Sequence, residues 1–231
     1  MGNVPGIKII YEDNHLLVVE KPVNIPVQED KSGDPDMLSI LKEDIRNRYC
    51  KPGNVYLGLV HRLDRPAGGV MVFAKTSKAA SRLSEQIRSR EFKKVYLAVI
   101  HGVPVIPCGT LENYLLKDNC KNIVTAFSEP VQDAKAAVLQ YDVLKSSGGL
   151  SLVRINLHTG RFHQVRVQFA AAGHPLYGDL KYGEKLNRPG MQLALWSVEI
   201  TLVHPTRHEK MVFKSFPPVV EPWTFFKPWT G

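Results

Sequence analysis

The chain has 231 residues, 44% of them hydrophobic and 23% charged, with a formal net charge of +8. That balance fits one globular domain with a substantial core, or two small ones, and excludes a disordered, fibrous or disulfide-stapled chain. Three scattered cysteines (Cys50, Cys108 and Cys120) form neither a disulfide framework nor a paired zinc site, which points to a reducing compartment.

No apolar run reaches the length of a membrane span, and residues 1–6 are polar with Pro and Gly, unlike a secretory leader. A cytoplasmic protein is the expectation. The positive excess favours a polyanionic partner, because each lysine or arginine that meets a phosphate releases a counterion.

In chain order, residues 7–11 and 15–20 are β-rich runs split by Glu12-Asp13-Asn14, a hairpin signature. Lys21-Pro22 ends the second run. Asp34-Pro35 predicts a helix start, with a capping side chain and then Pro at the first helical position. Leu38, Leu41, Ile45 and Tyr49 follow at helical spacing, and Lys51-Pro52-Gly53 stops the helix.

Residues 55–60 and 69–74 have strand length and composition. Thr76 or Ser77 can cap a second helix with the stripe Ala80, Leu83 and Ile87, its other faces carrying Lys78, Arg82, Arg88 and Arg90. Strands are predicted at 95–100, 111–116, 123–127 and 136–144, and at Val153, Ile155 and Leu157 by alternation. A helix is predicted over 161–172 with Gly173 as its stop, and closing strands over 193–203 and 211–216.

The tail from about residue 217 reads as irregular. No repeat and no Gly/Ser linker interrupts the chain. The pattern predicts a single α+β domain over 1–231, with a mixed, largely antiparallel sheet and flanking helices, and with a division into two lobes along a cleft as the alternative.

Four segments carry chemistry. His61-Arg62-Leu63-Asp64-Arg65-Pro66-Ala67-Gly68-Gly69 sets one acid among cations between two apolar strands. Neighbouring cations favour the ionised carboxylate, and an ionised, oriented Asp can act as a nucleophile or stabilise a developing oxocarbenium ion. The bland alternative is a turn cap, or a surface pair with Arg65. The two glycines suggest close backbone approach to a ligand.

Thr159-Gly160-Arg161-Phe162-His163-Gln164-Val165-Arg166 packs two arginines, a His and a Gln into six residues. On a helix, Arg166 shares a face with Phe162, Phe169 and Ala170, so it either finds an anionic partner or snorkels to solvent. In Lys93-Lys94-Val95-Tyr96-Leu97-Ala98-Val99 a lysine pair leads into a strand. Its Tyr96 offers a flat ring and a phenol, or is an ordinary core residue. Residues 173–183 form a Gly- and Tyr-rich loop whose Asp179 is the second acid candidate. The simpler expectation is that Asp179 orders its turn by accepting local backbone N–H groups.

Together these segments resemble the RluA family of pseudouridine synthases. The H-R-L-D-[KR]-x-[TS]-[SG]-G hallmark is similar to 61–69, K-x-Y-L-A to 94–98, and T-G-R-x-H-Q-[IV]-R to 159–166. G-H-P-L-x-G-D-x-x-Y-G is similar to 173–183. His204-Pro205 matches a further H-P, and the likeness runs in family order from about residue 7 to 218. Departures are Ala67-Gly68 for Thr-Ser, Leu195-Trp196-Ser197 for Leu-His-Ala, and Asn24 near the usual Gly after K-P.

The resemblance implies a cofactor-free isomerase that flips a uridine from structured RNA, detaches uracil and rejoins it through C5. It implies Asp64 as the essential carboxylate, Arg166 as its partner, Tyr96 on the uracil ring and Leu195 beneath the base. Arg62 is implied to fill the vacated stack or hold its phosphate. His61, Arg161, His163 and Gln164 are implied to contact RNA or brace their loops, and no metal is expected. Relatives often carry an S4-like N-terminal domain, and its absence here suggests a compact stem-loop of ribosomal or transfer RNA as partner; the oligomeric state stays open, and a monomer is compatible with the sequence.

Two other readings compete. One is an RNA-binding or folding factor that keeps the scaffold without turnover. The other is a hydrolase of a different glycosidic bond, which needs a second acid, with Asp179 as its nominee.

Overall fold

The structure is a computed structural model that describes residues 6–227. Its elements are β1 (Lys8–Glu12), β2 (Leu16–Lys21), α1 (Met37–Arg48), β3 (Gly58–Leu59), β4 (Gly68–Ala74), α2 (Ser77–Arg88) and β5 (Lys93–His101). These are followed by β6 (Cys108–Asp118), β7 (Ile123–Phe127), β8 (Lys135–Ser147), β9 (Leu150–Leu157), α3 (Gln164–Ala171), β10 (Leu195–Val203), β11 (Lys210–Lys214) and a 3-10 turn, Trp223–Phe226. The architecture is α+β, as the sequence predicts. The chain forms two compact units, one made of the residues up to Lys93 with Ser197–Phe216, the other of Lys94–Trp196 with the chain from Pro217. The expectation of a polar leaderless start falls on residues 1–6, of which 1–5 lie outside the described residues.

The first unit is built on the strand order β1-β2-β4-β10, with β11 on β10 and β3 on β4. Asp13 closes the β1–β2 hairpin, its Oδ1 accepting from the N–H groups of His15 and Leu16 at 2.7 Å each. Every residue of β4 is buried, as expected of a strand lying between β2 and β10. Leu83 and Ala79 of α2 pack on Leu16, Val18, Val70, Val72, Ala74, Ile200 and Leu202. The Gln86 side chain latches the end of β10: its Nε2 donates to Val203 O at 2.7 Å, and its Oε1 accepts from Val203 N–H at 2.9 Å.

In the second unit the order is β5-β9-β8-β6-β7, each neighbouring pair antiparallel. Helix α3 lies against β6 and β7. Its Val167 joins Leu115, Val124 and Ala137 in an apolar cluster with Phe162 and Tyr182 at the margin.

Local expectations need correction in four places. Helix α1 is capped by Asp36, not Asp34: Asp36 Oδ1 accepts from Leu38 and Ser39 N–H, while Asp34 pairs with Arg65. The strand predicted over 55–60 shrinks to Gly58–Leu59, which pair with Ala74 and Phe73. At the next rung the Val72 N–H donates to the His61 imidazole, so a side chain replaces the main-chain partner and ends the ladder. Helix α3 starts at Gln164 rather than Arg161, because His163 adopts a left-handed backbone with φ +53°. The tail holds the 3-10 turn, packed on β8, where irregular chain was expected.

Candidate active site

Asp64 stands at the first corner of a tight turn, its carbonyl accepting from Ala67 N–H at 3.0 Å, and is half-buried. The turn is held from below by Lys21, whose side chain is wholly buried. Lys21 Nζ donates to the carbonyls of Pro22 (3.0 Å), Arg65 (3.0 Å) and Ala67 (2.8 Å). Three acceptors match the three protons of an ammonium.

Burial pulls the Lys21 pKa down to about 7, the Asp64 carboxylate opposes that shift, and the Arg65 charge adds to it. Lys21 therefore lies inside the electrostatic reach of Asp64. The sequence hides it, since a lysine closing a strand ordinarily faces solvent.

Arg65 is not the partner that the bland reading gave Asp64. Its Nε donates to Asn24 O at 3.1 Å, its Nη1 to Ser32 Oγ at 3.0 Å, and its Nη2 pairs with Asp34. In return Asn24 N–H donates to Arg65 O at 2.8 Å. Asn24 has φ +66°, so it takes the left-handed conformation that the displaced glycine would supply, which Asn tolerates better than most residues.

Gly69, at the foot of the loop, is required for a reason other than a ligand. At φ +114°, a Cβ there would sit 2.3 Å from Ser197 O on β10.

In the second unit Tyr96 is buried on β5, paired with Ile155 of β9. Lys94, on the same strand face, is held below the usual lysine range by burial. It lies against Gly160, where an added Cβ would come 2.9 Å from its Nζ. Gln164 uses both ends of its amide on its own loop. Oε1 accepts from Thr159 Oγ1 at 2.7 Å and Arg161 N–H at 3.0 Å, and Nε2 donates to Val138 O at 3.1 Å.

His163 is buried, and its ring stacks on Phe162 at 3.8 Å between centroids. Tyr182 Oη accepts from Val124 N–H at 3.0 Å and meets His163 Nδ1 at 2.7 Å; a phenol proton donated to Nδ1 satisfies both contacts. Burial, followed by the charges of Arg166, Lys181 and Lys117, pushes the His163 pKa down to about 3. The imidazole is neutral at physiological pH.

Arg166 and Asp179 form a side-on pair. Nε donates to Oδ2 at 2.8 Å and Nη2 to Oδ1 at 2.8 Å. Oδ1 also accepts from Lys181 and Tyr182 N–H, at 3.0 and 3.2 Å. Asp179 thus orders its turn, as the sequence suggests, and in addition fixes the guanidinium plane. With both oxygens so engaged, it is not the second acid that a hydrolase needs.

Arg62 and Arg161 are exposed, the latter with Nε on Ala136 O at 3.0 Å, whereas His61 and Leu195 are buried. Among the described residues no group of three or more His, Cys, Asp or Glu could hold a metal ion, and no helix is long and apolar enough to cross a membrane.

The profile of the RNA pseudouridylate synthase family matches residues 15–171, and the chain belongs to that family. It is an RNA pseudouridine synthase, an isomerase.

A dual-specificity RNA pseudouridine synthase RluA of Haemophilus influenzae is 34% identical over 223 residues, covering 91% of this chain and 93% of that protein. An uncharacterised RNA pseudouridine synthase of Aquifex aeolicus is 33% identical over 96% of this chain and 72% of its own length. The chain spans 66% of a ribosomal large subunit pseudouridine synthase C of Buchnera aphidicola, at 31% identity. Human RNA pseudouridylate synthase domain containing 4 shares the fold, with a TM-score of 0.76 at 24% identity over 91% of this chain and 88% of that one.

Proposed function

We propose that this chain isomerises a uridine in a stem-loop of ribosomal or transfer RNA, in the cytoplasm, with Asp64 as the carboxylate acting at the glycosidic bond. The C1′–N1 bond breaks and C1′–C5 forms. The C5 proton leaves to solvent and N1 regains one, so the change is an isomerisation without redox. Arg166, aimed by Asp179, keeps Asp64 ionised and oriented. Tyr96 supports the uracil ring and is the candidate for proton transfer, while Leu195 packs beneath the base. Arg62 occupies the vacated stack or holds the flipped phosphate, and Arg161 adds a backbone contact. His61, His163 and Gln164 brace the loops that carry these groups.

The observation that carries this reading is the Asp64 turn itself, a carboxylate on a backbone pinned by a buried ammonium. The RNA class rests on the net charge of +8 and on the names of the ribosomal and dual-specificity relatives. Incubation with total ribosomal and transfer RNA carrying tritium at uracil C5 should release label to water. Asp64→Asn should abolish release while leaving RNA affinity within about threefold of wild type, the size of a typical context effect. Label retained by both RNA pools with the wild-type protein would overturn the proposal.

A further inference from the structure

Behind Asp179 lies a residue that no motif includes. Asn187 is buried, and the loop from Leu176 to Gly183 wraps its amide. Its Nδ2 donates to the carbonyls of Leu176 (3.0 Å), Asp179 (3.2 Å) and Gly183 (2.9 Å). Oδ1 accepts from Gly178 N–H at 2.6 Å and meets His101 Nε2 at 2.9 Å. An amide has two N–H donors and one carbonyl, so all its capacity is engaged.

The loop is also closed sterically. A Cβ on Gly178 would lie 2.2 Å from Gln192 O, and one on Gly183 would lie 2.8 Å from Asn187 Nδ2. A side chain at either glycine would clash, so the chain is closely packed at both points.

His101 ends β5, the strand that carries Tyr96. Its ring stacks on Tyr177 with centroids 5.8 Å apart, and its backbone N–H donates to Pro175 O at 2.9 Å. Tyr177 in turn donates its N–H to Val99 O at 2.8 Å. The His101–Asn187 bond therefore joins the tyrosine-bearing strand to the loop whose Asp179 aims Arg166. Since Oδ1 has no proton, His101 must present Nε2–H to it.

We propose that Asn187 and His101 are positioning residues for pseudouridine formation, setting the Asp179–Arg166 pair in register with the strand that bears Tyr96. The proposal deepens the functional reading above and rests on it. It differs from simple loop stability in what it changes: the rate of the chemical step in bound RNA.

The experiment compares His101→Phe, which keeps a ring on Tyr177 without a donor, with His101→Gln, whose terminal amide restores a donor near the Nε2 position. Asn187→Ala is the third variant. Single-turnover tritium release is measured on saturating RNA, normalised to folded protein, with RNA Kd measured separately.

His101→Phe and Asn187→Ala should lose about tenfold or more in rate with Kd within about threefold of wild type, and His101→Gln should recover most of the loss. If Asn187→Ala does not fold, the His101 pair decides alone. Wild-type rates per folded molecule in His101→Phe, or equal losses in Phe and Gln variants, would overturn the positioning role. An inactive wild-type protein would instead overturn the functional reading and this proposal with it.

Discussion

Arg166 and Asp179 meet side-on, with Nε and Nη2 donating at 2.8 Å to different carboxylate oxygens where neither side chain is more than 8% exposed. A guanidinium so deeply placed keeps its charge whatever its neighbours, so removing the Asp179 carboxylate leaves a buried ion less compensated.

Asp179→Asn should therefore cost about 3 kcal/mol of stability, at the lower end for a broken buried pair because one acceptor oxygen survives. Urea unfolding of the two proteins measures this. Equal midpoints with equal slopes would show that the pair contributes nothing to the fold.

Lys21 makes a signed prediction at high pH. Its folded pKa of about 7 lies below the ordinary 10.5. Between those values the unfolded chain holds a proton that the folded chain has released, so stability rises with pH across the window, by at most about 1.4 kcal/mol per unit. The burial cost is fully present below about pH 7. Comparing wild type with Lys21→Met from pH 6 to 10 isolates the contribution. A difference in stability that stays flat over that range refutes it. Independently of pH, Lys21→Met should reduce tritium release, because the carbonyls of Arg65 and Ala67 lose their donor.

His163 predicts the same sign in acid. Its pKa falls from 6.5 to about 3 on folding, so the unfolded chain binds the extra proton between those values. The stabilisation is complete above about pH 6.5 and is lost as pH falls toward 3, by on the order of 5 kcal/mol in all before any compensating relaxation. His163→Asn tolerates the left-handed backbone and removes the titration. Chemical denaturation at pH 7, 5 and 4 should show the wild-type protein weakening more steeply than this variant. Parallel curves would contradict it.

At the foot of the Asp64 loop, Gly69→Ala should destabilise severely, by about 3 kcal/mol or more, since the new Cβ meets the β10 backbone at 2.3 Å and φ is +114°. Thermal unfolding, or simply the yield of folded protein, tests this. A variant that melts within a degree or two of wild type would show that the two strands separate easily.

Much of this fold is legible because apolar alternation and capping are local. Thr76 caps α2 through Ala79 N–H, and Gly173, at φ +83°, stops α3 at the expected place. Errors arise where a distant group takes over a local role. Asp34 and Asp36 both flank Pro35 and both can cap, and only the long-range engagement of Asp34 by Arg65 decides between them. The chemistry-bearing segments are legible as a set, whereas their supports are not. Lys21 is noticed only as the end of a strand and Asn187 not at all, because their acceptors are carbonyls, which every residue type supplies alike.

The division of the chain also sets an order of events. Residues 197–216 belong with the first ninety-three residues, yet they leave the ribosome only after the whole of residues 94–196. Gly69, already paired with β2, then waits for Ser197 before its strand gains its second neighbour. During synthesis the segment bearing Asp64 stays without its full frame until residues 197–216 have emerged, so a nascent chain, or one terminated before them, would hold the acid in place poorly and have little capacity to act on RNA.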